Sequence, residues 1–313
     1  MFGSVEVAAP GFGCSGLMGA GRTQDRDRLL GTVVEVGIGH VDVARQYGAG
    51  YAESALGRFL RKYPRRPFSV ATKFGILPMS FSSAMARRAL ERRAPRTAAR
   101  ILQRASRVAR SFSVESSDRS IKDSLRALAI DYFDILFLHD CTVAEAMSPE
   151  MLEFVDGLLC SGITRRVGIA SSASTVMTVM NTPEPTPYSC FQFENNLLHS
   201  NRSLLAGARE AGSVFTHRPL LHSLSAMEEV LRDRNAACAA WMKRYELDLR
   251  RQEVLARVLL SFASLSNPGG TVLFSTTDAG RLRANAELCR QPCIGNEAAR
   301  ALENIVEGFD VKS

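Results

Sequence analysis

Residues 116–139, SSDRSIKDSLRALAIDYFDILFLH, contain the structural unit that decides the fold. The first half, Ser116–Leu128, is polar with apolar residues at helical spacing, so it predicts an amphipathic helix with Ser116 or Ser117 as its N-cap. The second half, Tyr132–His139, is a short apolar run that predicts a buried strand. A helix leading directly into such a strand is typical of a repeated strand–helix arrangement.

The same alternation extends along almost the whole chain. The predicted strands are Gly11–Gly16, His40–Ala44, Phe68–Lys73, Tyr132–His139, Arg166–Ser171, Cys190–Asn195, Ser213–His217 and Thr271–Ser275. The predicted helices are Asp25–Val36, Ala52–Arg61, Ser116–Leu128, Pro149–Cys160, Arg202–Ala211, Glu253–Leu265 and Gly280–Leu288. Successive strand–helix units imply parallel strands, and the count of eight favours a closed (β/α)8 TIM barrel over an open sheet. We therefore expect one α/β domain over residues 1–313.

Composition and charge narrow the class of protein. The chain is 46% hydrophobic and 23% charged, which is typical of a soluble globular protein. It contains no apolar run of the ~18–20 residues that span a bilayer, and residues 1–6 do not resemble a secretory signal, so we expect a cytoplasmic protein. The net charge of +7 is concentrated in Arg87–Arg110, where nine arginines and one glutamate sum to +8.

The two segments that exceed the minimal repeat are expected to be insertions. Residues 78–113 predict a basic helical insertion after the third strand, and Ser225–Arg251 predicts a helical insertion after the seventh. The basic segment suits either an anion, nucleic-acid or membrane-surface patch or a solvated outer face. No aromatic residue lies between Arg87 and Arg110 as a stacking platform for bases, so we favour the solvated face and expect no nucleic-acid partner.

Two other sequence patterns, a glycine-rich segment and the scattered cysteines, are not interpreted as functional sites. Gly11–Gly16 fits the three-glycine dinucleotide fingerprint, but a glycine-rich loop follows it instead of the helix that would meet a pyrophosphate. The seven cysteines are scattered and form no Cys-x-x-Cys pair. We expect reduced, mostly buried thiols and no metal site.

Four proton-bearing side chains follow or end three consecutive predicted strands. Asp42 lies in the second strand and Tyr47 follows it, Lys73 ends the third strand and His139 ends the fourth. Neighbouring strands lie ~4.8 Å apart, so these side chains converge at the carboxyl end of a barrel. Each has an ordinary structural explanation alone: a loop cap, a rim aromatic, a surface cation and a core histidine. Their occurrence together favours a catalytic site.

The chemistry that needs this set is proton donation by a phenol. Free tyrosine has a pKa near ~10, and an adjacent Lys73 ammonium would stabilise the phenolate. Asp42 would hold that lysine in place, and His139 would orient the substrate oxygen or relay its proton. Tyr47 could then protonate a carbonyl oxygen while hydride reaches the carbon. No side chain supplies hydride, so a nicotinamide cofactor is implied.

These motifs resemble those of the aldo-keto reductases, a family of (β/α)8 barrels that reduce carbonyl compounds with NADPH. Asp42–Gly48, DVARQYG, is similar to the family's Asp-Thr-Ala-x-x-Tyr-Gly, and Glu53 and Gly57 follow at the family's spacing. Gly162–Gly168 is similar to the family's Gly-Lys-x-Arg-x-x-Gly segment, and the resemblance covers residues 11–285. It implies that the four residues above form the catalytic tetrad.

The resemblance also implies where a cofactor binds. Gln192 stands where the family holds the nicotinamide carboxamide, Ala170-Ser171 replaces the assisting Ser-Asn pair, and His217 replaces the stacking tyrosine. Residues 273–278 resemble the phosphate-binding loop, with Ser275 in place of the usual lysine. The implied cofactor-binding residues are Ser171, Gln192, His217, Ser275, Thr276, Arg281 and Asn285.

A few residues bear on which nicotinamide cofactor binds and on the walls of the substrate pocket. Arg281 and the helix N-terminus would meet a 2′-phosphate, whereas Asp278 adds a negative charge nearby, so NADP(H) is favoured with NAD(H) as the alternative. Phe74, Phe81 and Trp241 are candidates for apolar pocket walls or for packing.

The predicted activity is NADPH-dependent reduction of an aldehyde or ketone to an alcohol. One alternative is an NAD(P)-dependent sugar (aldose or lactol) dehydrogenase working in the oxidising direction. The other is a slow-turnover cofactor-binding regulatory subunit, similar to the channel-associated members of the family, since the nicotinamide pocket is altered. In the first two cases the partner is a small carbonyl compound or sugar.

Overall fold

The computed structural model describes residues 7–63, 67–78, 109–220 and 223–309. Eight strands follow one another in chain order and form a closed barrel, with parallel pairing. The strands are Ala9–Gly13 (β1), His40–Asp42 (β2), Ser69–Phe74 (β3), Ile135–His139 (β4), Val167–Ala170 (β5), Tyr188–Glu194 (β6), Ser213–His217 (β7) and Thr271–Phe274 (β8). The predicted (β/α)8 barrel is confirmed, and each predicted strand matches an observed one with small shifts at its ends.

Helices follow the strands as the repeat predicts. Those of the described residues are Thr23–Glu35 (α1), Tyr51–Leu60 (α2), Val114–Leu128 (α3), Val143–Ala146 (α4), Pro149–Cys160 (α5), Ala173–Met180 (α6), Arg202–Ala211 (α7), Ser223–Asp233 (α8), Asn235–Tyr245 (α9), Gln252–Ser266 (α10), Ala279–Arg290 (α11) and Asn296–Val306 (α12). None of them is both long and apolar enough to cross a membrane. Short 3-10 helices follow β1 and β2, over Cys14–Ala20 and Tyr47–Gly50.

One helix prediction needs correction, and helices α4, α6 and α12 were not predicted. The N-cap of α3 is Ser113, not Ser116 or Ser117, and its side chain accepts a hydrogen bond from the Ser116 amide. Helix α6 was not predicted, because its serine, threonine and valine residues have low helix propensity. Its N-cap, Ser172, accepts a hydrogen bond from the Thr175 amide and satisfies one of the first free amides.

The insertions are described to different extents. Residues 79–108, which hold eight of the nine arginines of the basic segment, lie outside the described residues. Their flanks are described: Leu77 donates from its amide to the Ala109 carbonyl at 2.9 Å, and Ile76 and Arg110 form an antiparallel bridge. The helical insertion after β7 is confirmed as α8 and α9.

The chain divides into two compact units. The first unit contains Gly11–Gln192 and Ser275–Arg283, and the second contains Met1–Pro10, Phe193–Phe274 and Ala284–Ser313. The second unit has an apolar core in which Trp241 is buried and donates from Nε1 to the Ala298 carbonyl at 3.0 Å. Trp241 is therefore a packing residue. The expectation of one domain over residues 1–313 stays a prediction.

Strand register in the first unit aligns the residues of interest. Asp42 pairs with Ala71 between β2 and β3, and Lys73 pairs with Phe137 between β3 and β4. His139 pairs with Ala170 between β4 and β5. The predicted catalytic side chains are thus supplied from the carboxyl ends of neighbouring strands, as a parallel barrel requires.

Close helix packing supports the same unit. At Gly57 of α2, a Cβ atom would lie 2.3 Å from the Ala127 carbonyl oxygen of α3. Only a glycine lets the two helix backbones approach this closely. All seven cysteines are free thiols, most of them buried, as predicted.

Candidate active site

A buried ion pair lies at the centre of the site. The side chains of Lys73 and Asp42 are 3% and 4% exposed, and Lys73 Nζ donates to Asp42 Oδ1 at 2.5 Å and to the Val43 carbonyl at 3.2 Å. Burial raises the pKa of Asp42 and is partly offset by Lys73. Burial alone would lower the pKa of Lys73, but the Asp42 carboxylate raises it above its usual value. Lys73 is therefore a cation at neutral pH.

Tyr47 lies between this cation and a histidine. Lys73 Nζ is 5.4 Å from the centroid of the Tyr47 ring, and the His139 ring meets Tyr47 edge-on, with centroids 6.4 Å apart and an interplanar angle of 88°. Burial raises the pKa of Tyr47 and outweighs the opposing effect of Lys73. The expected stabilisation of the phenolate by Lys73 is present, but the phenol of this structure stays protonated at neutral pH. The four predicted catalytic residues are therefore brought together.

The turn after His139 is held by groups from two other segments. Asp140 has φ 57° and its amide donates to the Ala170 carbonyl at 2.7 Å. Arg110 donates from Nη2 to the Asp140 carbonyl at 2.6 Å and forms an ion pair with Glu145 at 2.9 Å. These contacts fix the backbone that presents His139.

Gln192 makes a contact that the sequence did not predict. Its Nε2 donates to Asp42 Oδ2 at 3.2 Å, so the amide belongs to the same hydrogen-bonded group as the ion pair. Its Oε1 is buried and has no hydrogen-bond partner among the described residues. A buried acceptor without a donor is unfavourable, which makes this oxygen a good acceptor for a ligand amide.

The neighbouring Ser171, which was predicted to contact the cofactor, makes hydrogen bonds to protein groups. Its Oγ donates to the Cys141 carbonyl at 2.8 Å, and its amide donates to the Gln192 carbonyl at 3.1 Å. The hydroxyl thus ties the loop after β4 to the end of β5. The predicted contact between Ser171 and a cofactor stays a prediction.

The predicted phosphate-binding loop is organised by short-range hydrogen bonds. Ser275 Oγ accepts from the Gly16 amide at 3.2 Å, and Thr276 Oγ1 accepts from the Asp278 amide at 3.2 Å. Asp278 Oδ1 accepts from the Arg281 amide at 2.8 Å, so Asp278 caps α11. This carboxylate takes one of the helix amides that were expected to be free for a phosphate. The Arg281 side chain is exposed.

The two remaining cofactor candidates belong to the second unit. His217 ends β7, and its carbonyl accepts from the Asn195 amide at 3.2 Å. Asn285 lies on the part of α11 that is assigned to the second unit. Their predicted roles stay predictions. The described residues contain no group of His, Cys, Asp or Glu that could hold a metal.

No role in the site was predicted from the sequence for two buried ionisable residues, Cys14 and Glu53, that lie near the four predicted catalytic residues. Cys14 is fully buried directly after β1, and burial raises its pKa, so the thiol is neutral. Glu53 is fully buried on α2, where it binds Thr72 and Arg45. A sequence signal for Glu53 was available, because its carboxylate lies beside Ala52 and Ala55 on an apolar helix. A buried charge needs partners, so such a position indicates hydrogen bonds to other elements.

Comparison with known proteins identifies the family. A model of the aldo/keto reductase family matches residues 11–306, which is nearly the whole chain. The chain belongs to the aldo/keto reductase family. This family member is 28% identical to L-galactose dehydrogenase of Arabidopsis thaliana over 181 residues, which is 56% of the chain and 48% of that protein. It is also 28% identical to D-threo-aldose 1-dehydrogenase of a Pseudomonas species over 182 residues, 56% of the chain and 53% of that protein.

A third relative, the NADH-specific methylglyoxal reductase of Escherichia coli, is 28% identical over 152 residues, 47% of the chain and 42% of that protein. The chain therefore spans about half the length of these curated relatives. The structure is similar to an aldo-keto reductase from Bacillus halodurans in its holo form, with a TM-score of 0.72, 20% identity and coverage of 96% and 92% of the two chains. It is also similar to the glycerol dehydrogenase of Gluconobacter oxydans, with a TM-score of 0.69, 16% identity and coverage of 97% and 95%. Identities this low show a common fold.

Proposed function

We propose that this aldo/keto reductase family member is an NADP(H)-dependent oxidoreductase that reduces an aldehyde or ketone to an alcohol, with NAD(H) as the alternative cofactor. The observation that carries the proposal is the position of Lys73. Its buried ammonium pairs with Asp42 at 2.5 Å and lies 5.4 Å from the ring centroid of Tyr47, the one phenol of the tetrad. A buried, paired cation next to a phenol suits proton donation.

Each tetrad residue has a separate role. Tyr47 donates its hydroxyl proton to the carbonyl oxygen, and its raised pKa keeps that proton in place until a substrate accepts it. Lys73 stabilises the phenolate that remains. Asp42 keeps Lys73 charged and in place, while His139, edge-on to Tyr47, orients the substrate oxygen.

A nicotinamide cofactor supplies hydride to the carbonyl carbon when it is bound. The residues present fit such a group. Gln192 Oε1 is a buried acceptor with no donor in the part of the chain that the structure describes, and it suits a carboxamide N–H. Within the first unit, Ser171 would join Gln192 at the nicotinamide end, and Ser275, Thr276 and Arg281 would hold the phosphate end.

A sugar dehydrogenase is the second candidate. It is supported by two of the relatives, an L-galactose dehydrogenase and a D-threo-aldose 1-dehydrogenase. In that direction Tyr47, as a phenolate that Lys73 stabilises, accepts the proton of a sugar hydroxyl, and the hydride from the same carbon would pass to the oxidised nicotinamide cofactor. The same four residues serve both directions because acid and base roles exchange when a reaction is reversed.

The first experiment measures cofactor binding and turnover separately. NADPH and NADH are titrated by isothermal titration calorimetry. Intrinsic fluorescence is less suitable, because the single tryptophan, Trp241, is buried in the core of the second unit. The cofactor that binds more tightly is then assayed with a nitrobenzaldehyde, and its oxidised form with aldoses. Reduction of the aldehyde supports the first candidate, and aldose oxidation alone supports the second. Binding without turnover of either supports a regulatory subunit, and no binding contradicts the proposal.

The tetrad assignment is tested with Tyr47→Phe. Removing only the proton donor lowers the rate of carbonyl reduction by ~10²–10⁴-fold while the cofactor Kd is unchanged. Tyr63→Phe is the control, because Tyr63 packs against Phe59 with ring centroids 5.1 Å apart and takes no part in the tetrad. Full activity of Tyr47→Phe would remove Tyr47 from the mechanism.

A further inference from the structure

The turn that carries Tyr47 has a backbone conformation that needs external support. Gly48, Ala49 and Gly50 have φ of 56°, 54° and 87°, three consecutive residues in the left-handed region. A left-handed conformation is unfavourable for an alanine, because its Cβ comes too close to the following carbonyl oxygen. Such a conformation persists only where the surrounding structure holds it.

Arg45 supplies part of that support. Its Nη1 donates to Glu53 Oε2 at 3.2 Å, which joins the residue before the turn to the first turn of α2. The guanidinium lies directly against the turn, since a Cβ atom on Gly50 would be 3.2 Å from Arg45 Nη1. Nη2 donates to Asp123 of α3 at 3.3 Å. The Arg45 side chain thus joins the segment before the turn to both α2 and α3.

Glu53 connects the same group to the strand that carries Lys73. Its side chain is 0% exposed, and its second oxygen, Oε1, accepts from Thr72 Oγ1 at 2.8 Å. Thr72 precedes Lys73 on β3, so the carboxylate joins the turn with Tyr47 to the strand with Lys73. Burial raises the pKa of Glu53, and the hydrogen bond from Thr72 and the charge of Arg45 oppose this effect.

We propose that Arg45 and Glu53 are positioning residues that hold Tyr47 in its place over Lys73. Neither touches the reacting atoms. They act by keeping the left-handed turn closed and by setting the distance between the turn and β3. The catalytic part of this inference rests on the proposed function, whereas the structural part does not.

Arg45→Met tests the inference, because methionine keeps much of the volume of the side chain and loses its hydrogen bonds. We expect kcat for aldehyde reduction to fall by roughly 10- to 100-fold, since small misplacements of a catalytic group have effects of this size. We expect KM and the cofactor Kd to be unchanged, and Arg45→Lys to restore part of kcat. The matched control is Arg58→Met, because Arg58 lies on the same helix, α2, and its guanidinium pairs with Asp27 of α1 at 3.3 Å.

A second measurement does not depend on activity. The amides of Tyr47 and Ala49 donate to the Ala44 and Gln46 carbonyls at 3.0 and 3.1 Å, so their hydrogen exchange reports on the turn. We expect exchange in residues 47–51 to become roughly tenfold faster in Arg45→Met but not in the control variant.

Several outcomes would overturn the inference. Exchange and kcat in Arg45→Met that match Arg58→Met would show that the turn holds itself. An equal loss of cofactor affinity would show a general structural role. If Arg45→Met does not fold, Glu53→Gln decides by the same two measurements, because it keeps the acceptor for Thr72 and loses the charge that binds Arg45. An inactive wild type would contradict the proposed function, and the exchange comparison would still decide the role of Arg45.

Discussion

Replacing Lys73 with methionine removes one half of the buried ion pair and leaves the other in place. Asp42 would keep the hydrogen bond from Gln192 Nε2 at 3.2 Å and lose the ammonium at 2.5 Å. Its side chain is only 4% exposed, so water does not replace the lost partner. Breaking a buried pair from one side typically costs about 3–5 kcal/mol. We expect a decrease of that size in the free energy of unfolding at pH 7.

The size of this loss should depend on pH, with a sign that follows from Asp42. Burial already raises the pKa of Asp42, and the charge of Lys73 is the largest opposing effect. Without Lys73 the pKa in the folded state rises further above the unfolded value of ~3.9. Between these two pKa values the folded state binds more protons than the unfolded state. The free energy of unfolding of Lys73→Met therefore falls as pH rises above ~4, by up to ~1.4 kcal/mol per pH unit.

Urea denaturation of the wild type and Lys73→Met between pH 4 and pH 8 measures this loss. The double variant Asp42→Asn with Lys73→Met should recover part of the stability at pH 7, because it leaves no buried charge. Lys62→Met is the matched control, since Lys62 pairs with Asp27 at 2.8 Å but is 51% exposed. Exposed pairs contribute ~0–1 kcal/mol. A loss in Lys73→Met no larger than in the control, or one independent of pH, would refute the reasoning.

Two further predictions concern the cofactor and the packing of the helices. Arg281→Ala should weaken NADPH binding about 10- to 100-fold with little effect on NADH, which is the range for charge-assisted hydrogen bonds to one phosphate. Arg283→Ala is the control, because the Arg283 side chain binds Glu35. Equal losses for both cofactors in calorimetry would place the 2′-phosphate elsewhere. Gly57→Ala should lower the free energy of unfolding by about 1–3 kcal/mol, because the added Cβ would lie 2.3 Å from the Ala127 carbonyl oxygen of α3. Gly157→Ala is the control on α5, where a Cβ meets nothing within 4 Å, and it should raise the free energy of unfolding by ~0.5–1 kcal/mol. Equal effects of the two substitutions in urea denaturation would contradict the close packing of α2 on α3.

The barrel and the approach of four polar side chains at its strand ends could be predicted from the sequence, because both depend on local patterns. Apolar runs such as Ile135–His139 identify buried strands by themselves, and a parallel barrel brings the carboxyl ends of its strands to one end. Asp42, Tyr47, Lys73 and His139 come at or just after strand ends, so their convergence follows from topology. Helix α6 was missed because its stability comes from its N-cap and its packing, and its residues have little propensity of their own.

The hydrogen-bond partners of the site were decided only by the tertiary structure. Gln192 and Asp42 are 150 positions apart in the chain, and nothing local to either residue indicates that they bind each other. The same holds for Arg45, whose position two residues before Tyr47 gives no sign of its bond to a buried Glu53. A polar side chain has several possible partners, and the packed backbone decides which of them lies within hydrogen-bonding distance. The sequence by itself thus determined the barrel and the residues at its strand ends, while the tertiary structure decided how those residues are held, because a hydrogen bond requires a distance and an angle that only the folded chain defines.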